Sequence, residues 1–376
     1  MKPAVAFIWS NFGPYHIDRL EAAANALKES HRVVGIEVAG STVHYPWNRT
    51  DNIKDFQCIT LFPKQNFESI SKWRQLRSLI RICFKIGATD IFVCNYNRLD
   101  IFPLAWILRL SGRRVHCMIE SKFDDRERRF LNEIAKRVFF SPYCSALVGG
   151  QRSRDYVAYF GLRHKRIEFG YDSISGRRIR ELAGSPPAPE GVPFKDRHFT
   201  IVARLVPKKN VAMAIEAYAQ YRANARSAAR DLHICGSGKL EDELRHKVAE
   251  LQLDGVIFHG FVQSPEVART LASTLALILP SNEDQWGLVV NEAVSMGVPI
   301  LCSMNVGARD LLVKTAVNGY VFEPDNPEGL AQLMGLLTSD EAEWRRMAAA
   351  SLKFAPIADS EQFGIGVSAI VRNSDR

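Results

Sequence analysis

The chain has 376 residues, more than one hydrophobic core usually supports, and its 47% hydrophobic and 24% charged residues are an ordinary folded composition, so two domains are expected. No apolar run reaches the ~20 residues that span a bilayer, and the seven cysteines lie scattered without a C-x-x-C pair or metal-ligand spacing, as in reduced, buried thiols of a cytoplasmic protein. The net charge of +8 is unevenly spread: residues 1–200 hold 32 Lys and Arg against 20 Asp and Glu, net +12, and residues 201–376 hold 17 against 21, net −4. A basic half suits nucleic acid, an anionic membrane surface or an anionic small molecule, and charge alone does not choose among them.

Short apolar runs alternate with amphipathic stretches of helical length, the pattern of parallel sheets covered by helices. The opening residues read as a buried strand, Ala4–Trp9, and not as a signal peptide, since no cleavage pattern follows. Ser10-Asn11-Phe12-Gly13-Pro14-Tyr15-His16 then enters a helix over Tyr15–Leu27, with Gly13 able to bring backbone amides to a phosphate and His16 one turn into the helix. Further strands are expected at Arg32–Glu37, Ile91–Cys94, Val115–Ile119, Ala146–Val148 and Arg166–Glu168, with a helix at Phe102–Arg109. Residues 70–85 carry five cations and no acid around an apolar stripe of Ile70, Trp73, Leu76, Ile80 and Phe84, which suits either packing on the sheet or lying on anionic lipid. After Ile119 come Glu120-Ser121-Lys122 and the pair Asp124-Asp125, which reads as solvated acids; with no Asp-x-Asp motif, no metal is expected. Residues 173–197 include Ser-Pro-Pro-Ala-Pro-Glu-Gly-Val-Pro and read as a linker. The alternation restarts at Phe199–Ala203 and continues through Leu232–Cys235, Val256–His259, Leu275–Leu279 and Val298–Cys302.

The second half holds the densest candidates. Arg204 and Lys209, five positions apart in a strand-to-helix loop, are two cations able to meet on a diphosphate. Gly236 and Gly238 end a strand and permit close backbone approach, a weak signal taken alone. Asp284 and Glu292 stand eight positions apart between two strands, which places both near the carboxyl edge of a parallel sheet, where open α/β folds bind ligands.

The stretch Asp284–Ile300, with Trp286-Gly287-Leu288 and Glu292-Ala293 followed by Gly297-Val298-Pro299, resembles the acid-x7-acid signature of family 4 retaining glycosyltransferases. Asp284 stands where most members carry Glu, and Gln285 where many carry Gly. The resemblance runs from Thr200 to about Met334 and takes in Arg204…Lys209, Gly236-Ser237-Gly238 and a loop with a single glycine, Gly307, in which Asp310 replaces the usual Glu. It implies an α/β chain of GT-B fold, two Rossmann-like domains with parallel sheets facing across a cleft. Residues 1–172 would bind the acceptor, 173–197 link, 198–354 bind the nucleotide sugar, and 355–376 form a terminal helix packing back on the first domain.

The implied activity is retaining transfer of a sugar from a nucleotide diphosphate sugar to an acceptor, without metal or other cofactor. Arg204 and Lys209, or the adjacent Lys208, would stabilise the departing diphosphate, Asp284 would contact the donor sugar, and Glu292 would hold the ribose. Gly13, Gly236, Trp286, Gly287, Leu288 and Gly307 would complete the donor site, with His16, and Glu120 or Asp124, near the transferred sugar and acceptor. A lipid-linked glycan of bacterial surface polysaccharide synthesis suits the basic first half, with the protein cytoplasmic or peripheral at the inner face of the cytoplasmic membrane. The rivals are a nucleotide-sugar 2-epimerase of the same architecture and a basic nucleic-acid-binding protein. The second rival lacks an aromatic-basic RNA motif or zinc spacing, so no nucleic acid partner is expected.

Overall fold

Ala4–Trp9 (β1) is a strand with every residue buried, as its unbroken apolar run requires of a strand covered on both faces. In the computed structural model, which describes residues 2–42, 56–125, 128, 130–162, 166–225 and 228–372, β1 is joined by β2 (Arg32–Ser41), β3 (Gln57–Asn66), β4 (Ala88–Val93), β5 (Arg114–Ile119), β6 (Ser145–Val148) and β7 (Arg166–Phe169). They pair in parallel in the order β3-β2-β1-β4-β5-β6-β7. A second sheet of β8 (His198–Val202), β9 (Leu232–Cys235), β10 (Val256–Gly260), β11 (Thr274–Leu279), β12 (Ile300–Ser303) and β13 (Gly319–Phe322) is also parallel throughout, in the order β10-β9-β8-β11-β12-β13. The chain divides into two units, Met1–Ser175 with Ser360–Arg376, and Gly176–Asp359, each built around one sheet.

In the first unit one face of the sheet packs under helices Lys72–Lys85 and Ile101–Leu110 through Leu76, Leu79, Cys83, Leu104 and Leu108. The other face packs under helix Pro14–Leu27 and helix Glu361–Arg372, where Leu20, Ala23, Phe363, Val367 and Ile370 surround Phe7 and Phe92. The terminal helix thus completes the core of the unit that the chain began; positions 373–376 lie outside the described residues. In the second unit Phe199, Ile201, Leu232, Ile234, Leu275 and Trp344 are at the centre of the core.

Three expectations change. Two strands lacked an unbroken apolar run and went unread, β3 and β13, and both lie at sheet edges, where a strand need not be buried on both faces. Residues 173–197 are not wholly irregular: helix Gly176–Ala183 precedes the prolines, with Ile179 and Ala183 buried. In helix Lys72–Lys85 the buried positions are Gln75, Leu76, Leu79 and Cys83, whereas Trp73 is 66% and Phe84 44% exposed, so the packed stripe is rotated from the one read in sequence.

Candidate active site

Each sheet order reverses at one place, between β1 and β4 in the first unit and between β8 and β11 in the second, and the loops leaving such a pair diverge to opposite faces and open a crevice at the strand ends. Every candidate residue from 204 to 210 and from 281 to 292 follows β8 or β11. The two loops are joined by backbone: the amides of Asn282 and Glu283 donate to the Lys208 carbonyl at 2.9 and 3.3 Å. Asn210, left-handed at φ +54°, donates its side-chain amide to the carbonyls of Pro280 at 3.2 Å and Pro324 at 2.7 Å, tying three strand-end loops together. Asparagine tolerates that conformation better than most residues, which explains the choice after two lysines.

On this frame Lys209 Nζ meets Asp284 Oδ2 at 2.5 Å, with the two side chains 15% and 12% exposed. Ser281 Oγ donates to the same carboxylate oxygen at 3.3 Å. Arg204 is exposed at the start of the loop that carries Lys209. Glu292 lies on the seven-residue helix Val289–Ser295, 2% exposed, with every residue of that helix buried. Gly287 takes φ +97°, and Leu288 caps the helix.

Three of the residues that the sequence pattern singles out serve the frame directly. Trp286 is 3% exposed and donates its indole N–H to Asn291 Oδ1 at 2.8 Å, while Asn291 donates to the Ala358 carbonyl at 3.0 Å. A Cβ on Gly307 would lie 1.8 Å from the Gln285 carbonyl oxygen, and one on Gly236 at 1.8 Å from that of Ala203. The space these glycines leave is filled by the chain's own backbone: Gly307 N donates to the Asp284 carbonyl at 3.2 Å, and Ala203 N to the Cys235 carbonyl at 3.0 Å. Gly307 therefore holds the main chain of Asp284, next to Asn282 and Glu283, which Lys208 holds. Ser281 and Asn210 were missed in sequence; an asparagine just before a helix was the available signal for the second.

In the first unit, Gly13 and His16 follow β1 at the other reversal point. The Gly13 amide donates to His16 Nδ1 at 2.9 Å, so the imidazole closes the first turn of its helix and carries its proton on Nε2. Burial, and then the Arg19 charge, lowers the His16 pKa to about 3, so the ring is neutral near pH 7. The Phe12 amide donates to Glu37 Oε2 at 2.7 Å, a buried carboxylate that sequence reading did not single out.

Glu120 is half-buried, and its carbonyl accepts from Ser153 Oγ at 2.9 Å. The neighbouring acids are in ion pairs: Asp124 with Lys122 at 3.3 Å and with Arg152, and Asp125 with Arg128. Burial raises the Asp124 pKa, but Lys122 and Arg152 outweigh it and hold the carboxyl below its usual range. Asp124-Asp125 is therefore a half-buried charge network and not the solvated pair expected from sequence. Among the described residues no group of three or more His, Cys, Asp and Glu side chains is placed to hold a metal, and no helix is long and apolar enough to cross a membrane.

Residues 187–354 match the family described as glycosyl transferases group 1. Among relatives, the N-acetylgalactosamine-N,N'-diacetylbacillosaminyl-diphospho-undecaprenol 4-alpha-N-acetylgalactosaminyltransferase of Campylobacter jejuni is 28% identical over 189 residues, 50% of this chain and 48% of that protein. The chain spans between 25% and 48% of the length of the first curated relatives it matches. Two solved structures cover nearly all of it: sucrose-phosphate synthase from Thermosynechococcus elongatus, TM-score 0.73 at 15% identity over 100% of this chain and 99% of that one, and Anabaena HepE in complex with UDP and glucose, TM-score 0.70 at 14% identity over 99% and 100%. At that identity the likeness shows the fold, which is GT-B.

Proposed function

We propose, from the premise that residues 187–354 form a glycosyl transferases group 1 domain, that the chain is a retaining glycosyltransferase moving a sugar from a nucleotide diphosphate sugar to a glycan acceptor. The observation that carries this reading is the Lys209–Asp284 pair, held by both loops at the reversal point of the second sheet. A diphosphate entering that crevice shares the Lys209 ammonium with Asp284, and Arg204 adds a second cation, so charge developing on the leaving group meets fixed positive charge. Asp284, positioned by Ser281 and by its own backbone, orients the donor sugar. Glu292, on a helix that packing immobilises, holds the ribose hydroxyls. Gly13, His16 and Glu120 serve the sugar and acceptor from the first unit, His16 as a neutral hydrogen-bonding group.

The two cations supply the neutralisation that a divalent ion supplies in other transferases, so activity should persist in excess EDTA. HepE is seen with UDP and glucose, and the name of the Campylobacter relative places an undecaprenol diphosphate in its acceptor, which supports a nucleotide diphosphate donor and a lipid-linked glycan of surface polysaccharide synthesis here. The +12 charge of residues 1–200 and the exposed Trp73 and Phe84 favour work as a cytoplasmic protein at an anionic membrane surface.

A thermal-shift screen of nucleotide sugars tests the reading, because a ligand at 100 times its dissociation constant stabilises by about 2.7 kcal/mol. Stabilisation of the wild-type protein and a much weaker response of Lys209→Ala are expected. No response to any nucleotide diphosphate sugar would overturn the assignment, and sugar-nucleotide turnover without an acceptor would favour the epimerase.

A further inference from the structure

Three histidines run side by side across β8, β9 and β10. Thr200 pairs with His233 and His233 with Ile257, so His198 and His259, each two residues along a strand from those partners, share the face of His233. The pairing of β9 with β10 is irregular between Phe258 and Gly260, and here the His259 ring lies beside that of His233, with centroids 4.9 Å apart.

The His198 ring lies flat on His233, with centroids 3.6 Å apart and planes 6° from parallel. His198 is itself fixed, with Nε2 at 3.1 Å from Ser273 Oγ and Nδ1 at 3.1 Å from Thr200 Oγ1. His233 Nδ1 and His259 Nε2 then stand 3.1 Å apart. Exposure rises along the row: His198 is buried, His233 half-buried and His259 exposed, so solvent reaches the outer pair.

We infer that His233 Nδ1 and His259 Nε2 form a binding site for one borderline divalent ion, Zn²⁺, Ni²⁺ or Cu²⁺, that clasps β9 to β10. Metal–imidazole bonds of about 2.0–2.1 Å subtend about 100° across a 3.1 Å nitrogen separation, between the octahedral and tetrahedral angles, so the separation suits one ion once each ring turns to aim its nitrogen at it. The ring that now donates the shared proton carries it on its other nitrogen once the metal is bound, so both imidazoles stay neutral. The stacked His198 restrains the His233 ring, as an outer partner restrains a ligand. Because no third His, Cys, Asp or Glu side chain among the described residues joins the pair, solvent completes the coordination. The site goes beyond the transferase reading and needs no part of it.

The test is calorimetric titration of the intact protein with Zn²⁺ and Ni²⁺ in chelator-free buffer, beside His259→Ala and a control, His246→Ala, changed at an exposed histidine of helix Glu241–Glu250. One ion per chain is expected, weakened at least about tenfold in His259→Ala and unchanged in the control, since loss of even an outer partner costs about 10–100-fold. Cu²⁺ bound to the wild-type protein should show coupling to two imidazole nitrogens by electron paramagnetic resonance. Equal affinity of His259→Ala and wild type, or no binding by the wild-type protein, overturns the inference. Circular dichroism of His259→Ala, whose replaced side chain is exposed, checks that the fold is kept.

Discussion

Lys209 and Asp284 form the closest charged contact of the candidate site, and each is held by a different loop, so neither is a free surface charge. On the proposed reading Lys209→Ala removes a cation that stabilises the leaving diphosphate, and it should lower turnover by about 100-fold or more with the fold intact. Asp284→Asn keeps the shape and loses the charge, and should reduce turnover while sparing nucleotide affinity. Because the two touch, the double variant should fall short of the summed single effects by about 0.5–3 kcal/mol, measured as kcat/KM in a full cycle; strict additivity would mean that the pair does not act as a unit. Titrating side chains set a second residue-level outcome. Burial, and then His233, lowers the His198 pKa from 6.5 to about 4, and burial lowers that of His16 to about 3. As pH falls below 6.5 the unfolded chain takes up these protons before the folded one does, so stability is full above about pH 6.5 and declines towards pH 4. At about 1.4 kcal/mol per pH unit, His198 alone accounts for about 3 kcal/mol of that decline. Asp90 acts in a lower window: burial opposes its charge, but hydrogen bonds from His116 and Arg114 prevail and hold it at about 2, so its contribution fades only from about pH 4 through 2. Urea midpoints at pH 7.5, 4.5 and 3 should show both stages, and a flat profile between 7.5 and 4.5 would contradict the histidine assignment.

At the scale of the element, the loops after β8, β11 and β12 are built by backbone touching backbone, and glycine marks where they cross. Gly307→Ala places a methyl group 1.8 Å from the Gln285 carbonyl oxygen, so the loop must shift, at about 1–3 kcal/mol or more. Gly87, left-handed at φ +63° with open space beside it, gives the contrast: Gly87→Ala should cost only the left-handed penalty of about 1–2 kcal/mol and leave turnover unchanged. Urea melts with turnover assays separate the two, because Gly307→Ala should lose activity beyond its loss of stability. The same elements show what could be read in the sequence. Ala4–Trp9 was legible to the residue because an interior parallel strand is apolar on both faces, and Leu232–Cys235 was too, although His233 interrupts its apolar run. Gln57–Asn66 was not, since an edge strand with Pro63 and Lys64 shows no such run. The acids 284 and 292 and the cations 204 and 209 were legible as spacing. That Lys209 pairs with Asp284, that Asn210 ties three loops and that Trp286 is a buried wedge depends on residues 70 or more positions away or on burial, which spacing does not encode.

At the scale of the whole molecule, charge and exposed apolar surface coincide on the first unit. Of the eighteen large hydrophobic residues exposed among those described, eight lie on or beside helices Lys72–Lys85, Ile101–Leu110 and Phe130–Phe140, among them Trp73, Phe84, Trp106, Leu110, Ile134 and Val138. All three helices pack on one core through Leu79, Leu104 and Phe140, and Phe102 meets Phe139 at 4.9 Å, so they cover the same face of the first sheet. Lys72, Arg74, Arg77, Arg81 and Lys85 lie on the first helix, and Arg109 and Arg137 on the other two. Apolar side chains flanked by cations suit the boundary between lipid headgroups and acyl chains. Each cation near an anionic surface contributes about 1 kcal/mol, screened over about 8 Å at physiological salt, so attachment should be reversible and weaken as salt rises. Vesicle sedimentation should carry down the intact protein with anionic lipid at low ionic strength and leave it in solution with neutral lipid. Changing Arg74, Arg77 and Arg81 together to Glu should abolish sedimentation at low salt, whereas Trp106→Ala with Leu110→Ser should weaken chiefly the part that survives high salt. If the charge-reversed protein sediments as well as the wild type, the basic helix is ordinary packing, and the acceptor need not be presented at a membrane.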